Sequence, residues 1–252
     1  PPREVSFLSQ LNHAHSLNKP NKEDENDDKE DANLFQEYKD DNAEAKLLDN
    51  QETLDNFSPS ITAFSVACGK THSLALTDRG IYAWGSSKYG QLGLGVKRQK
   101  TKRPEVISTL SHRVITDIAC GHYHSVALDV KGRLWTWGWG VHGQLGHENI
   151  EDECVPKRVT WPQQLLNESI CRIAAGYAHT MVLTMAGNIW VFGCGLFGQL
   201  GNGENKKSTI PIRVDFSNTI NSEGVMNDKM GIMTCGYFHN FSVSQDGLRL
   251  YT

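Results

Sequence analysis

From Ile61 onward, apolar and polar positions alternate in short runs, with no stripe of helical period. "FSVACG" and "TDIACG" each read as a strand, and "HSVALD" alternates as a second. "RLWTWG" makes a third, reached through "DVKG", a tight turn with Gly132 where a positive φ is wanted. A glycine-rich loop follows, then "VPKRV" as a fourth strand, with Pro156 at its start suiting an edge position. Four short antiparallel strands recurring at a period of about 50 residues predict the blades of a β-propeller.

The period is carried by three independent markers. "VACGKTHSLAL", "IACGHYHSVAL", "IAAGYAHTMVL" and "MTCGYFHNFSV" place histidines at His72, His124, His179 and His239, spaced by 52, 55 and 60 residues. "YAWGSSKYGQLGLG", "WTWGWGVHGQLGHE" and "WVFGCGLFGQLGNG" place Gln91, Gln144 and Gln199 at intervals of 53 and 55. Pro104, Pro156 and Pro211 follow at 52 and 55. Three markers drifting together define three full repeats, near 61–110, 111–165 and 168–216, and the start of a fourth at 231–252.

The paired motifs A-x-G-x-x-H-[ST] and W-G-x-x-x-x-G-Q-L-G, repeated in order and in phase, resemble the regulator of chromosome condensation repeat family over residues 61–252. The resemblance implies an all-β, seven-bladed propeller of four-stranded antiparallel blades. Seven such repeats need roughly 360 residues, so residues 57–252 are expected to supply about half a ring. The chain starts at Pro1 and stops at Tyr251-Thr252, inside a predicted strand, and is read as part of a longer protein.

Charge divides the chain. Residues 21–56 hold fourteen acidic and four basic residues, a net of −10, against −4 for all 252 residues. With few aromatic residues and no sustained period, this segment is expected to be a disordered linker or insertion. Residues 1–20 are ambiguous between the end of a strand and the start of a helix. The family's chromatin docking through a basic N-terminal tail has no counterpart in an acidic segment, so DNA is not an expected partner. No run of about 18 apolar residues predicts a membrane span. The six cysteines form no C-x-x-C pair, so neither a zinc site nor a disulfide framework is expected, and the compartment is read as cytoplasmic or nuclear.

The repeated histidines would be misread as metal ligands. One per blade at a fixed phase, they are held apart by the ring and cannot converge on one ion. They are expected to be satisfied frame residues whose ring nitrogens bond backbone within the blade. Gly69, Gly121, Gly176 and Gly236 precede them at a fixed offset, where a positive φ or a close backbone approach is needed. Cys68, Cys120, Ala175 and Cys235 share a phase that asks for a small, buried residue. Trp84, Trp137 and Phe192 share another, as do Leu92, Leu145 and Leu200, and both are expected in the inter-blade core. "G-x-G-x-x-G" occurs at Gly138–Gly143 and Gly193–Gly198 but opens no helix of a βαβ unit, so a dinucleotide site fails on context. No Walker motif or nucleophile elbow is present. No catalytic centre, metal or cofactor is expected.

Variation lies between the frame positions. After "GQLG" the first repeat carries "VKRQKTKR", the second "HENIEDEC" and the third "GENKKSTI". The same expected loop is thus basic, acidic and mixed on successive blades, which suits steering and registering a partner. Candidate partner-binding residues are Lys97, Arg98, Lys100, Lys102 and Arg103 in the first repeat. In the second they are Trp139, His142, Glu151, Asp152 and Glu153. The insertion Asp215–Gly231 is a further candidate contact.

Two functions compete. One is a non-catalytic protein-interaction module beside other domains of the same polypeptide, which in this family include HECT ubiquitin ligases. The other is guanine-nucleotide exchange on a small GTPase of the Ran or Rab type, as the founding member of the family performs. Plant ultraviolet-B photoreceptors of this fold carry tryptophan just before the repeat histidine. Here "GKTHS", "GHYHS", "GYAHT" and "GYFHN" have none.

Overall fold

The structure, a computed structural model, describes residues 61–162, 168–216, 220–221, 224–225 and 229–252. The segments read above as 1–20 and 21–56 lie outside the described residues. Among the described residues, four blade sheets and one two-stranded ladder, all antiparallel, follow one another along the chain. The first blade is β1 (Ala63–Cys68), β2 (His72–Thr77), β3 (Gly80–Ser87) and β4 (Arg98–Val106). The second is β5 (Ile115–Cys120), β6 (His124–Asp129), β7 (Leu134–Gly138) and β8 (Glu153–Arg158). The third is β9 (Ile170–Ala175), β10 (His179–Thr184), β11 (Ile189–Gly193) and β12 (Ser208–Arg213). A short ladder pairs β13 (Ile220–Asn221) with β14 (Gly224–Val225), within the Asp215–Gly231 insertion. The last sheet is β15 (Met230–Cys235), β16 (Asn240–Ser244) and β17 (Leu250–Tyr251).

Each sheet is a meander in sequence order, and the first strands of successive blades pack against one another, β1 on β5, β5 on β9 and β9 on β15. The connections β1–β2 and β3–β4 therefore leave one face of the array. The β2–β3 turns and the inter-blade links leave the other. Gly132 closes the β6–β7 turn at φ 72° as expected. Pro156 departs from expectation. It sits inside β8 and is buried, because β8 starts at Glu153. Its missing N–H costs nothing there, since β8 is an outermost strand with one edge unpaired.

The core lies between blades. Leu74, Ile81 and Leu92 of the first blade meet Ile118 and Trp137 of the second. Val126 and Leu134 meet Ile173, Trp190 and Phe192. Met181, Val191 and Leu200 meet Met230 and Met233. A blade face is thus buried only where a neighbour covers it. Ile118 and Ile173 are 6% and 9% exposed, while Val66, at the same phase in the first blade, is 69% exposed. The same asymmetry corrects two expectations. Trp84 is half-buried, unlike Trp137 and Phe192. Cys68 is exposed and Cys120 and Cys235 half-buried, rather than all three fully enclosed. Desolvation still raises the Cys120 and Cys235 thiols above their ordinary range, which keeps them protonated.

Candidate functional site

The repeat histidines build the joints between blades. His72 Nε2 lies 2.9 Å from Ser125 Oγ, His124 Nε2 3.0 Å from Thr180 Oγ1, and His179 Nε2 2.7 Å from Asn240 Oδ1. Each partner is the residue that follows the histidine of the next blade. These partners return the bond. Ser125 Oγ donates to the Gln91 carbonyl at 2.8 Å, Thr180 Oγ1 to that of Gln144 at 2.8 Å, and Asn240 Nδ2 to that of Gln199 at 2.6 Å. The histidines were expected to bond backbone within their own blade. They instead bond a side chain across the boundary, because that side chain points back at the preceding blade.

The relay fixes the tautomer. A hydroxyl has one proton, and that of Ser125 is committed to Gln91, so it accepts from His72 Nε2–H. The same holds for Thr180. Asn240, donating through Nδ2, presents only an oxygen to His179. Burial lowers the pKa of His72 to about 4 and that of His124 to about 3. It lowers that of His179 too, where the bond to Asn240 opposes it. These rings are neutral struts. His239, in the fourth blade, is exposed.

The preceding glycines are required by close approach, not by a positive φ. A Cβ on Gly121 would lie 2.1 Å from His124 Cε1 and 2.6 Å from the Gly176 carbonyl oxygen, and Gly69 and Gly176 are as crowded.

The same glutamines anchor the loops of the outward face. Gln91 Oε1 accepts from the Tyr89 amide, Gln144 Oε1 from that of His142 and Gln199 Oε1 from that of Phe197, all at 2.8–2.9 Å. One residue type thus ties the blade joint, through its carbonyl, to the residue that puts a ring on the surface.

Those rings form a continuous patch. Tyr89 packs on Tyr123 and Trp139, with centroids 5.0 and 5.8 Å apart. Trp139 meets His142 edge-on at 4.8 Å and Tyr177 at 5.8 Å. His122 touches Tyr123, Tyr177 and Tyr237. Phe238 continues the patch to Phe197 at 4.7 Å. The backbone beneath is linked around the array. Lys70 N donates to His122 O, His122 N to Gly176 O and Tyr177 O, and Tyr177 N to Tyr237 O. Two cations border the patch, Lys70 Nζ 5.7 Å from the Tyr123 ring centre and Lys88 Nζ 5.5 Å from that of Tyr89.

The charged candidates are distributed differently from the expected loop rim. Arg98, Lys100, Lys102 and Arg103 lie in β4, because β3 runs on to Ser87 and pairs Ser87 with Arg98 and Ser86 with Lys100. Lys102 and Arg103 are exposed and Lys100 half-buried. Lys97 reaches Asp152 at 2.8 Å, which raises the lysine pKa, and Asp152 Oδ1 also accepts from Gly140 N at 3.0 Å. The basic and acidic stretches of neighbouring blades therefore meet in one ion pair. Glu153 opens β8 and pairs with Lys157, and Glu151 is exposed. Trp139 and His142 belong to the aromatic patch. Among the described residues, no cluster of His, Cys, Asp or Glu is arranged to hold a metal ion.

Residues 80–128, 131–183 and 186–243 match the Regulator of chromosome condensation (RCC1) repeat. The chain belongs to this family. Among the RCC1 relatives, the human probable E3 ubiquitin-protein ligase HERC6 is 35% identical over 187 residues, 72% of this chain and 17% of its own length. The Arabidopsis thaliana ultraviolet-B receptor UVR8 is 35% identical over 190 residues, 75% of this chain and 40% of that receptor. Among solved structures, Prp20p from Saccharomyces cerevisiae superposes with a TM-score of 0.61 at 28% identity, over 77% of this chain and 45% of that one. Human WBSCR16 gives 0.65 at 24% identity, over 78% and 48%, a likeness of fold. The chain thus spans less than half the length of each of these relatives.

Within the RCC1 frame, sequence reasoning missed most of the aromatic patch. Tyr89, His142 and Phe197 share one slot, the residue before G-Q-L-G. His122, Tyr123, Tyr177, Tyr237 and Phe238 fill the two variable positions between the repeat glycine and histidine. Scoring those slots for ring content, rather than for tryptophan alone, would have found them.

Proposed function

We propose that this chain is a protein-interaction propeller within a larger cytoplasmic or nuclear protein. The observation that carries the reading is the contrast between an invariant joint and a diversified surface. The relay from histidine to the next blade's polar side chain to the glutamine carbonyl recurs between successive blades. The ring slots and β3–β4 segments it supports change residue and charge from blade to blade. Variation on a rigid scaffold is the arrangement that binding surfaces use. The ligase relatives support a place in partner or substrate recognition beside a separate catalytic domain. The basic edge strand, through Lys100, Lys102 and Arg103, is one contact surface under this reading, and the aromatic patch, with Trp139 and His142, is the other.

Charge reversal at Lys100, Lys102 and Arg103 is expected to weaken pull-down of cellular partners without lowering the melting temperature. Unchanged capture would remove β4 from the binding surface. A second reading, nucleotide exchange, draws support from Prp20p, which was described with its binding to Gsp1p. Acceleration of mant-GDP release from a Ran or Rab GTPase would establish it.

A further inference from the structure

The face reached by the β2–β3 turns and the inter-blade links carries an apolar strip. Val130, in the β6–β7 turn, donates its amide to the Val114 carbonyl at 2.9 Å, and Met185, in the β10–β11 turn, donates to that of Ser169 at 2.8 Å. The two pairs adjoin, because a Cβ on Gly132 would lie 3.9 Å from Ser169 Cα. Val114, Val130 and Met185 are 68, 62 and 70% exposed. A missing neighbour does not explain this. The second blade has a blade on each side, and the turn holding Met185 is met by the fourth, where a Cβ on Gly187 would lie 2.7 Å from Lys229 Cβ. The same paired slots hold Thr62 and Asp78 in the first blade and Lys229 and Gln245 in the fourth.

Charge along the strip is one-sided. Asp129 is turned inward, accepting from the Lys131 and Arg133 amides, Arg133 Nε and the Trp135 indole. Glu168 accepts from Thr184 and Asn188, and Asp117 from the Ile118 amide. Arg113 and Lys131, next in sequence to Val114 and Val130, are exposed, and among the described residues neither forms an ion pair.

We propose that this strip docks an extended protein segment in which aspartate or glutamate alternates with aliphatic side chains, the aliphatic groups lying on Val114, Val130 and Met185 and a carboxylate at Lys131. The inference rests on the reading of the chain as an interaction module. It places a further surface on the face opposite the aromatic patch and names a chemistry for what binds there. Exposed apolar groups beside uncompensated cations call for the complementary pattern in a ligand. The backbone under the strip is hydrogen-bonded, so little of it is left to order on binding. Other ligands fit less well. An anionic membrane surface is held by clusters of about four to eight basic residues, and the strip offers Arg113 and Lys131. Nucleic-acid bases need open ring faces, whereas the Trp135 ring has the Arg113 guanidinium 5.1 Å from its centre.

The test is selection of a displayed random dodecapeptide library on the full chain, followed by fluorescence anisotropy with the selected peptides. The expected consensus alternates aspartate or glutamate with leucine, isoleucine or valine. Val130→Asp is expected to weaken that peptide at least tenfold and Lys131→Gln at least threefold, both at unchanged melting temperature. A peptide with lysine in place of each acidic residue is expected to bind at least tenfold more weakly than its parent. A consensus lacking carboxylates, or affinity unaffected by either substitution, overturns the proposal. So does co-sedimentation with phosphatidylserine vesicles that Val130→Asp abolishes, which would assign the strip to a membrane. If binding is instead lost only on reversing Lys102 and Arg103, the interaction reading stands and this surface is wrong. If no peptide is enriched, both fall.

Discussion

His124 Nε2 donates to Thr180 Oγ1 at 3.0 Å across the boundary between the second and third blades, and Thr180 passes its own proton to the Gln144 carbonyl at 2.8 Å. Both residues are fully buried, so no water stands ready to replace either bond. Thr180→Val keeps the shape and removes the hydroxyl, leaving an unpaired donor on one side and an unpaired acceptor on the other. The expected loss is about 2–3 kcal/mol. Thr180→Ser, which keeps the relay, should cost about 1 kcal/mol for its lost methyl group. Urea denaturation of the two variants checks the order, and equal losses would show that the relay contributes nothing.

Two glycines separate steric from conformational demand. Gly121→Ala places a Cβ against the His124 ring and the Gly176 carbonyl, with no flexible side-chain end to yield. It should cost about 3 kcal/mol or more. Gly132→Ala meets nothing nearer than 3.6 Å but must hold φ at 72°, at about 1 kcal/mol. Thermal unfolding is expected to rank them in that order.

Acid should open the joints. Burial holds His72 and His124 at about 4 and about 3, below the ordinary value of about 6.5. The unfolded chain therefore binds more protons than the folded one between those limits. Stability is complete above about pH 6.5 and falls as pH drops toward the folded values, by about 2 kcal/mol for each fully buried ring at pH 5. His147, lowered to about 4 mainly by burial, contributes in the same window. The urea midpoint should fall between pH 7.5 and 5. A His124→Gln variant, less stable throughout, should fall less steeply. A flat profile would mean that the rings are not held neutral.

The Lys97–Asp152 pair should prove asymmetric. Lys97 is half exposed, and Lys97→Ala removes a solvated ion pair worth less than about 1 kcal/mol. Asp152→Ala also strips the acceptor from the Gly140 amide, so about 1 kcal/mol more is expected. Denaturation in low and high salt separates the two, because only the ionic part is screened.

Much of this was legible in the sequence. The recurring glycine, histidine, glutamine and proline gave the blades and their phase, and the first three recur because each serves the same bonds or close contact in every joint. The partner of the histidine was not legible. Ser125, Thr180 and Asn240 look interchangeable with any polar strand residue until the next blade is set beside them. Nor was the fate of "VKRQKTKR", where the eight-residue β3 draws basic residues into a ladder that the five-residue β7 and β11 do not reach. The aromatic patch was half visible, through Trp139 and His142. It escaped because its members belong to different repeats and become neighbours only around the array.

Every joint described above runs one way. Each blade extends its histidine and the amide of its inner turn forward, and each answers backward with a hydroxyl or a side-chain amide. Such a coupling is head-to-tail, and what it offers at one end it accepts at the other. A repeat can then be exchanged for another, provided the incoming one keeps its histidine, the polar residue after it and its glutamine. The surface is carried along as cargo, so new recognition can be acquired a blade at a time without renegotiating the fold.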